Sequence, residues 1–201
     1  VGCVSQVGEQ AGPVGRLAWL SAGYPDHVPS TTVDRRCGSS QQSVHFAAQG
    51  IAAGAYDIVI AGGVEAMSRV PMFTARIGKD PSGPLLYDRY EHGLIPQGIA
   101  AERIAAKWKI SREAMDAFSA RSHQLAAAAR DDGSFNAEIV NVPNANGVAS
   151  ADETIRPSTT VEGLSNLKVS FENADFKQRY PEIDWSVTAG NSSQLADGAS
   201  A

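Results

Sequence analysis

Cys37 is the residue whose type and position in this sequence point most directly to chemistry. It lies where a segment rich in Val and Thr gives way to a predicted helix that begins near Gly38. Unpaired N–H groups and the positive end of the helix dipole favour thiolate over thiol at such a position. The residue has two interpretations: an activated nucleophile, or a small buried hydrophobe of the kind that free cysteines usually are.

A cysteine nucleophile needs a base, and the sequence has four histidines. His45 lies further along the same predicted helix, about 12 Å of axial rise from Cys37, and is too far away to contact it. His27 and His92 fall in turn-like segments and His123 falls in a longer helix, and nothing in the pattern brings any of them to Cys37. We therefore expect the base to come from outside this stretch of chain.

The elements around Cys37 are predicted to be a strand, a helix and a second strand. Residues 28–35 are rich in Val and Thr, which favours a strand, and residues 38–53 carry apolar side chains at helical spacing. Residues 56–61 form a continuous apolar run, which predicts a strand buried on both faces. This order is typical of an α/β unit, in which the two strands are parallel and the crossover is right-handed.

The middle of the chain, residues 68–185, has a looser pattern interrupted by Pro and Gly, which predicts an excursion out of the sheet. Within it, residues 97–108 are a candidate amphipathic helix. Ser111 is a candidate N-cap for a longer helix over residues 112–132.

Two later segments complete the prediction. Residues 141–152 are polar and predict a loop, whereas residues 186–190 predict a return to strand. We therefore expect three parts: a core segment 1–67, an excursion 68–185 and a return to the core 186–201.

Composition excludes several classes of function. The chain has 201 residues, of which 43% are apolar and 19% charged, and its net charge of -5 is spread along the sequence, so neither disorder nor a basic nucleic-acid-binding surface is expected. Cys3 and Cys37 are the only cysteines, and clustered metal-ligand spacing is missing, which favours a reducing, cytoplasmic compartment and no metal. No apolar run approaches the ~18 to 20 residues of a membrane span, and phosphate-loop, dinucleotide, hydrolase and metalloprotease motifs are missing.

Motifs along essentially the whole chain resemble those of the thiolase family. The loop DRRCGSSQQ at 34–42 resembles the segment that carries the acyl-cysteine of that family. The segment AGGVEAMS at 61–68 resembles the strand that follows the nucleophile helix. Further similar segments occur in the family's order: GCVSQ at 2–6, GIAAE at 98–102, SRE at 111–113, VTAGNSS at 187–193 and DGA at 197–199.

The resemblance implies an α/β fold, with part of a thiolase-like layered αβα core and an inserted, mainly helical loop domain. It implies an acyl-CoA acyltransferase that cleaves a 3-ketoacyl-CoA thiolytically or condenses two acyl-CoAs. Cys37 would attack the carbonyl and hold the acyl group as a thioester, and its own N–H would contribute to an oxyanion hole. Coenzyme A would be a substrate, with no permanently bound cofactor.

Five positions of the implied loop domain match coenzyme A contacts of the family. An Arg near adenine or phosphate and a Phe against the pantetheine chain suit this ligand chemically. The five positions are Arg156, Gly163, Phe171, Ala189 and Ser193. An ordinary structural role stays open for each. The family also implies a homodimer or a homotetramer.

Two departures from the family pattern are present. Ser40 stands where many members have Gly. A similar Ser-Ser-Gln-Gln loop occurs in some thiolases linked to fatty-acid or steroid breakdown. The Asn-Glu-Ala-Phe segment, the Gly-His-Pro segment with the activating histidine and the Cys-x-Gly segment with the acid/base cysteine are missing from this sequence, and both ends look cut. We therefore expect a portion truncated at both ends, without the C-terminal thiolase domain and inactive alone.

Two other classes of function stay open on the sequence. A non-catalytic acyl-CoA-binding or lipid-binding module would bind coenzyme A without thiolysis. A redox-sensing thiol protein would oxidise readily at Cys37 without any dependence on coenzyme A, although it leaves the other matching motifs unexplained.

Overall fold

A computed structural model of the protein describes residues 1–91, 93–145 and 147–201, which form two compact units. The first unit comprises Val1–Gly83 and Leu195–Ala201, and the second comprises Pro84–Gln194. The first contains α1 (Val14–Ser21), α2 (Ser39–Ala52), β1 (Gly63–Ala66) and β4 (Asp197–Ser200), with short 3-10 turns at Gly8–Gln10 and Thr74–Arg76. The second contains α3 (Pro84–Arg89), α4 (Gln97–Trp108), α5 (Arg112–Asp131), β2 (Val142–Asn144), β3 (Gly147–Ala149), α6 (Val161–Ser165) and α7 (Ala174–Arg179).

Four chain segments lie side by side in the first unit. Gly2 forms parallel bridges with Val33 and with Gly63. Strand β1 pairs antiparallel with β4, and Gly63 lies opposite Ser200. The segments on either side of α2 are therefore parallel to each other through Gly2, which agrees with the predicted strand–helix–strand order.

The two strands predicted around α2 are not formed as expected. Residues 28–35 contribute isolated bridges, and residues 56–61 are not a strand, with Ile58 and Ile60 exposed by 89% and 61%. The prediction that this run is buried on both faces is therefore wrong. An apolar run shows which side chains suit a strand, but a hydrogen-bonded neighbour decides where pairing occurs. That neighbour meets the chain directly after the run, at Gly63.

Helix α2 rests directly on the backbone of two glycines. A Cβ atom on Gly2 would lie 2.5 Å from the carbonyl carbon of Ser39, and a Cβ atom on Gly63 would overlap Ser40 Oγ. One turn further on, Ser43 Oγ donates a hydrogen bond to the Gly62 carbonyl at 2.9 Å. Larger side chains at Gly2 or Gly63 would push the helix away, so these glycines set its distance from the paired segments.

The two helices predicted for the second unit are confirmed. Helix α4 has the predicted bounds, and α5 begins directly after Ser111, whose Oγ accepts the Ala114 N–H at 3.1 Å. The N-cap prediction is thereby confirmed as well. Gly133, with a φ of +79°, follows the end of α5 in the left-handed conformation that glycine adopts without strain.

Two other predictions in the second unit need correction. Residues 141–152, predicted as a loop, contain the antiparallel pair β2 and β3. Strand β2 is exposed at every residue, so it has no apolar face that a sequence pattern could reveal. Residues 186–190, predicted as a strand, contribute one bridge, between Val169 and Thr188.

A buried carboxylate fixes the chain at residues 186–187 against α4. Glu102 is 1% exposed and accepts hydrogen bonds from the Ser186 N–H at 3.0 Å and the Val187 N–H at 2.7 Å. The Ser186 hydroxyl donates to the same carboxylate at 3.1 Å. Burial of a charge is tolerated where several donors surround it, and two of these donors are backbone N–H groups that would otherwise lack partners.

A second buried carboxylate lies on α5. Asp116 is 0% exposed and accepts hydrogen bonds from Arg112 Nε at 2.7 Å and from Asn191 Nδ2 at 2.9 Å. The same Asn191 amide donates to the Ser186 carbonyl at 3.1 Å, and Arg112 Nη2 donates to the Leu164 carbonyl at 2.5 Å. The two carboxylates therefore join α4, α5 and α6 to the segment around residues 186–191.

We expect Glu102→Gln to destabilise the protein by about 2 to 3 kcal/mol. The side-chain NH2 group of Gln is a donor, and it would face a buried backbone N–H group of residue 186 or 187 that the carboxylate oxygen now accepts. Chemical unfolding followed by tryptophan fluorescence measures this change. Glu182→Gln is the matched control, since Glu182 is exposed and pairs with Arg103 only at 3.9 Å. Equal free energies of unfolding for the two variants would contradict the role given to Glu102.

Candidate active site

Cys37 is exposed and lies two residues before the start of α2. The backbone turns sharply here, because Arg36 has a φ of 52° in the left-handed region. The turn is closed by the Gly38 N–H, which donates to the Arg35 carbonyl at 3.1 Å, and by the Ser39 N–H, which donates to the Arg36 carbonyl at 3.0 Å. An exposed thiol at a helix start fits the nucleophile interpretation and not the buried hydrophobe.

Both arginines beside Cys37 are engaged with other groups. Arg36 pairs with Asp34 at 3.2 Å, and the Asp34 carboxylate also accepts the Arg36 N–H at 2.8 Å. Arg35 Nη1 donates to Gln42 Oε1 at 2.8 Å. Their side chains thus brace the turn and the first turns of α2.

The Cys37 thiol and N–H have no hydrogen-bond partner among the residues that the structure describes. Among the histidines, His27 and His45 are exposed, and His92 lies outside the described residues. His123 lies in the second unit, where its Nδ1 accepts the Arg156 N–H at 3.1 Å. No described histidine is hydrogen-bonded to Cys37.

A polar cluster in the first unit was not found from the sequence. The Glu65 carboxylate accepts hydrogen bonds from the Val4 N–H at 2.9 Å, the Ser5 N–H at 3.2 Å and Gln10 Nε2 at 2.9 Å. Partial burial raises the pKa of Glu65, but the hydrogen bonds from Val4, Gln10 and Ser5 outweigh it and leave the pKa below its ordinary value. The signal for this cluster was a lone carboxylate two residues after the glycine pair at 62–63.

The other cysteine has a different environment. Cys3 is 1% exposed, and burial, followed by the charge of Glu65, raises the pKa of its thiol. Both effects disfavour the thiolate. Of the two cysteines, Cys37 is therefore the one open to a substrate.

The five positions matched to coenzyme A contacts all lie in the second unit. Arg156 is exposed, and its N–H is bonded to His123 on α5. Gly163 is exposed on α6, where its N–H donates to Thr160 Oγ1 at 3.1 Å. Because Arg112 on α5 binds the Leu164 carbonyl, both positions are held by the same long helix.

The remaining three positions depend on α4 and α5. Phe171 is half-buried, and a Cβ atom on Gly98 of α4 would lie 2.5 Å from its ring. Ala189 and Ser193 are exposed and flank Asn191, the residue bonded to Asp116. Ala189 and Ser193 are thus exposed, and Asn191 between them anchors their segment to the buried Asp116.

Two open cavities lie in the second unit, with volumes of about 600 and 340 Å³. Neither is lined by any of the five positions.

Within the described ranges, no group of three or more His, Cys, Asp or Glu side chains could hold a metal ion. The described helices include none with the length and apolar character needed to cross a membrane.

Comparison with known proteins gives a consistent result. The family described as "Thiolase, N-terminal domain" matches residues 1–201. Steroid 3-ketoacyl-CoA thiolase FadA6 of Mycobacterium tuberculosis is 40% identical over 208 residues, which cover 100% of this chain and 48% of that protein. A 3-ketoacyl-CoA thiolase of Erwinia tasmaniensis is 45% identical over 205 residues, which cover 100% of this chain and 50% of that protein.

Solved structures show the same likeness. The dimeric peroxisomal thiolase of Saccharomyces cerevisiae superposes with a TM-score of 0.83 at 34% identity, covering 98% of this chain and 48% of that one. Human mitochondrial 3-ketoacyl-CoA thiolase in complex with CoA superposes with a TM-score of 0.79 at 34% identity, covering 98% and 50%.

The chain spans about half the length of the relatives that it matches. Its mixed helices and paired segments have the thiolase-like α/β fold, so the predicted fold class is confirmed. With a family match over every residue and structural likeness over nearly the whole chain, the chain belongs to the thiolase family.

Proposed function

We propose that the protein carrying this chain is an acyl-CoA acyltransferase in which Cys37 holds the acyl group. The observation that carries the proposal is an exposed cysteine on a tight turn at the start of α2, in a chain that matches the thiolase N-terminal domain throughout. The relatives named above as 3-ketoacyl-CoA thiolases support a 3-ketoacyl-CoA as the substrate.

The reaction follows from thiol chemistry. The Cys37 thiolate attacks the 3-keto carbonyl, and the carbon–carbon bond next to it breaks, which leaves a thioester on Cys37 and a carbanion that takes up a proton to give acetyl-CoA. The thiolate of free coenzyme A then attacks the thioester and releases the shortened acyl-CoA. The reverse sequence of steps is a condensation of two acyl-CoAs.

The Cys37 N–H, which is unpartnered among the described residues, is suited to donate to the oxyanion that forms during each attack. The proton transfers need an acid/base group, and no described histidine is bonded to Cys37. We assign these transfers to the part of the thiolase sequence that this chain does not span, so the chain alone is expected to be inactive.

Coenzyme A is assigned to the five positions of the second unit as a substrate and not as a bound cofactor. The exposed guanidinium of Arg156 suits a phosphate, and the ring of Phe171 suits the pantetheine chain. A relative of known structure was solved in complex with CoA, which supports this ligand. We further propose a homodimer or a homotetramer, since one relative of known structure is dimeric. We also propose a cytoplasmic location, which the presence of only two cysteines in the sequence favours.

We expect Cys37→Ala to lower the thiolysis rate of the full-length protein at least about a thousandfold, because removal of a nucleophile removes the covalent route. The loss of acetoacetyl-CoA in the presence of coenzyme A measures this rate. Cys3→Ala is the matched control, since Cys3 is buried and should leave the rate near that of the unchanged protein. Thiolysis that survives Cys37→Ala would contradict the proposal, and coenzyme A binding without any thiolysis would favour a binding module.

We expect Arg156→Ala to raise the KM for coenzyme A about tenfold with little change in kcat, since a charge-assisted hydrogen bond to phosphate is worth about 1.5 to 3 kcal/mol. Steady-state kinetics with varied coenzyme A measures both constants. Arg103→Ala, which removes an exposed arginine paired with Glu182, is the control. An unchanged KM would remove Arg156 from the binding site.

A further inference from the structure

Ser39, the first residue of α2, bonds through its side chain to the turn that precedes the helix. A serine at the N-cap position of a helix accepts a hydrogen bond from an N–H further along the helix. In α2 the N-cap position is Gly38, and no side chain caps the helix. The Ser39 hydroxyl instead points back to the chain that precedes Cys37.

Two hydrogen bonds define this contact. Ser39 Oγ accepts the Arg35 N–H at 2.8 Å and donates to the Arg36 carbonyl at 2.5 Å. Ser39 is only 4% exposed, whereas Cys37 is exposed. A buried hydroxyl therefore clamps both residues on the N-terminal side of Cys37 to the helix on its C-terminal side.

The clamp acts on a strained residue. Arg36 is a non-glycine residue in the left-handed region, a conformation that persists only where surrounding contacts enforce it. The Ser39 hydroxyl supplies one such contact from the buried side, and the Asp34 carboxylate, which accepts the Arg36 N–H at 2.8 Å, supplies another from the surface. Without the Ser39 hydroxyl, the turn keeps the Asp34 carboxylate and the Gly38 and Ser39 N–H bonds, but Arg36 loses its side-chain contact on the buried side.

We propose that Ser39 is a positioning residue for acyl transfer, whose buried hydroxyl keeps the strained turn at Arg36 and so presents the Cys37 thiol at the start of α2. The proposal rests on the proposed function of Cys37 and adds the device that fixes it in place. Ser39 does not touch the substrate in this account, and acts through the backbone on either side of the nucleophile.

The test is a set of variants of the full-length protein, assayed for acetoacetyl-CoA thiolysis. We expect Ser39→Ala to lower kcat at least about tenfold with an unchanged KM, since small misplacements of a reacting group cost one to two orders of magnitude in rate. Ser43→Ala is the matched control. Ser43 lies one turn further along α2 and is also buried, and its hydroxyl is within donating distance of the Ser40 and Gly62 carbonyls, but it does not contact the turn.

A rescue variant separates positioning from a general loss of stability. Glycine adopts a positive φ without strain, so Arg36→Gly should restore most of kcat when it is added to Ser39→Ala. Because glycine also relieves strain in the folded state, the rescue must exceed the gain in the folded fraction, which chemical unfolding of both variants measures. Asp34→Ala, which loosens the turn from its exposed side, should lower kcat in the same direction and serves if Ser39→Ala does not fold.

Amide hydrogen exchange of the peptide over residues 34–42 provides a readout that does not depend on activity. Faster exchange in Ser39→Ala and unchanged exchange in Ser43→Ala are expected. Unchanged exchange, a kcat within twofold of that of the unchanged protein, or no rescue by Arg36→Gly would each overturn the proposal. If the unchanged protein showed no thiolysis but exchange rose in Ser39→Ala, the clamp would stand and acyl transfer as its purpose would fall.

Discussion

Both units of this protein depend on hydrogen-bond partners for the backbone N–H groups of their irregular segments. A chain with few strands has many peptide groups that no ladder pairs, and a buried unpaired N–H is costly. Carboxylates solve this problem here: Glu65 accepts the N–H groups of residues 4 and 5, and Glu102 accepts those of residues 186 and 187. A carboxylate can accept several such bonds, which no neutral side chain does equally well.

In the second unit this solution places the candidate binding residues. Glu102 and Asp116 fix one side of the segment 186–191, and the exposed Ala189 and Ser193 lie on or beside that segment. Arg112 extends the same network to α6, which carries Gly163. The two buried carboxylates thus anchor the segments that carry three of the five positions proposed for coenzyme A.

Part of the fold and part of the candidate site could be predicted from the sequence. The bounds of α4, the Ser111 cap of α5 and the location of Cys37 at a helix start follow from local patterns and are found in the structure. The apolar run at 56–61 could not be placed, because pairing depends on segments distant in sequence. The buried role of Glu102 was not predicted, although its spacing from Ile99 puts it on the buried face of α4. The role of Ser39 depends on the φ of Arg36, which no sequence pattern states.

The central claim is that Cys37 carries the acyl group, and the mass of the intact full-length protein after incubation with acetoacetyl-CoA tests it most directly. We predict one added acetyl group, which peptide mapping places on Cys37 and which hydroxylamine removes as expected for a thioester. Thiolysis that proceeds without any acetylated Cys37, or an acetyl group found on Cys3 instead, would contradict the account.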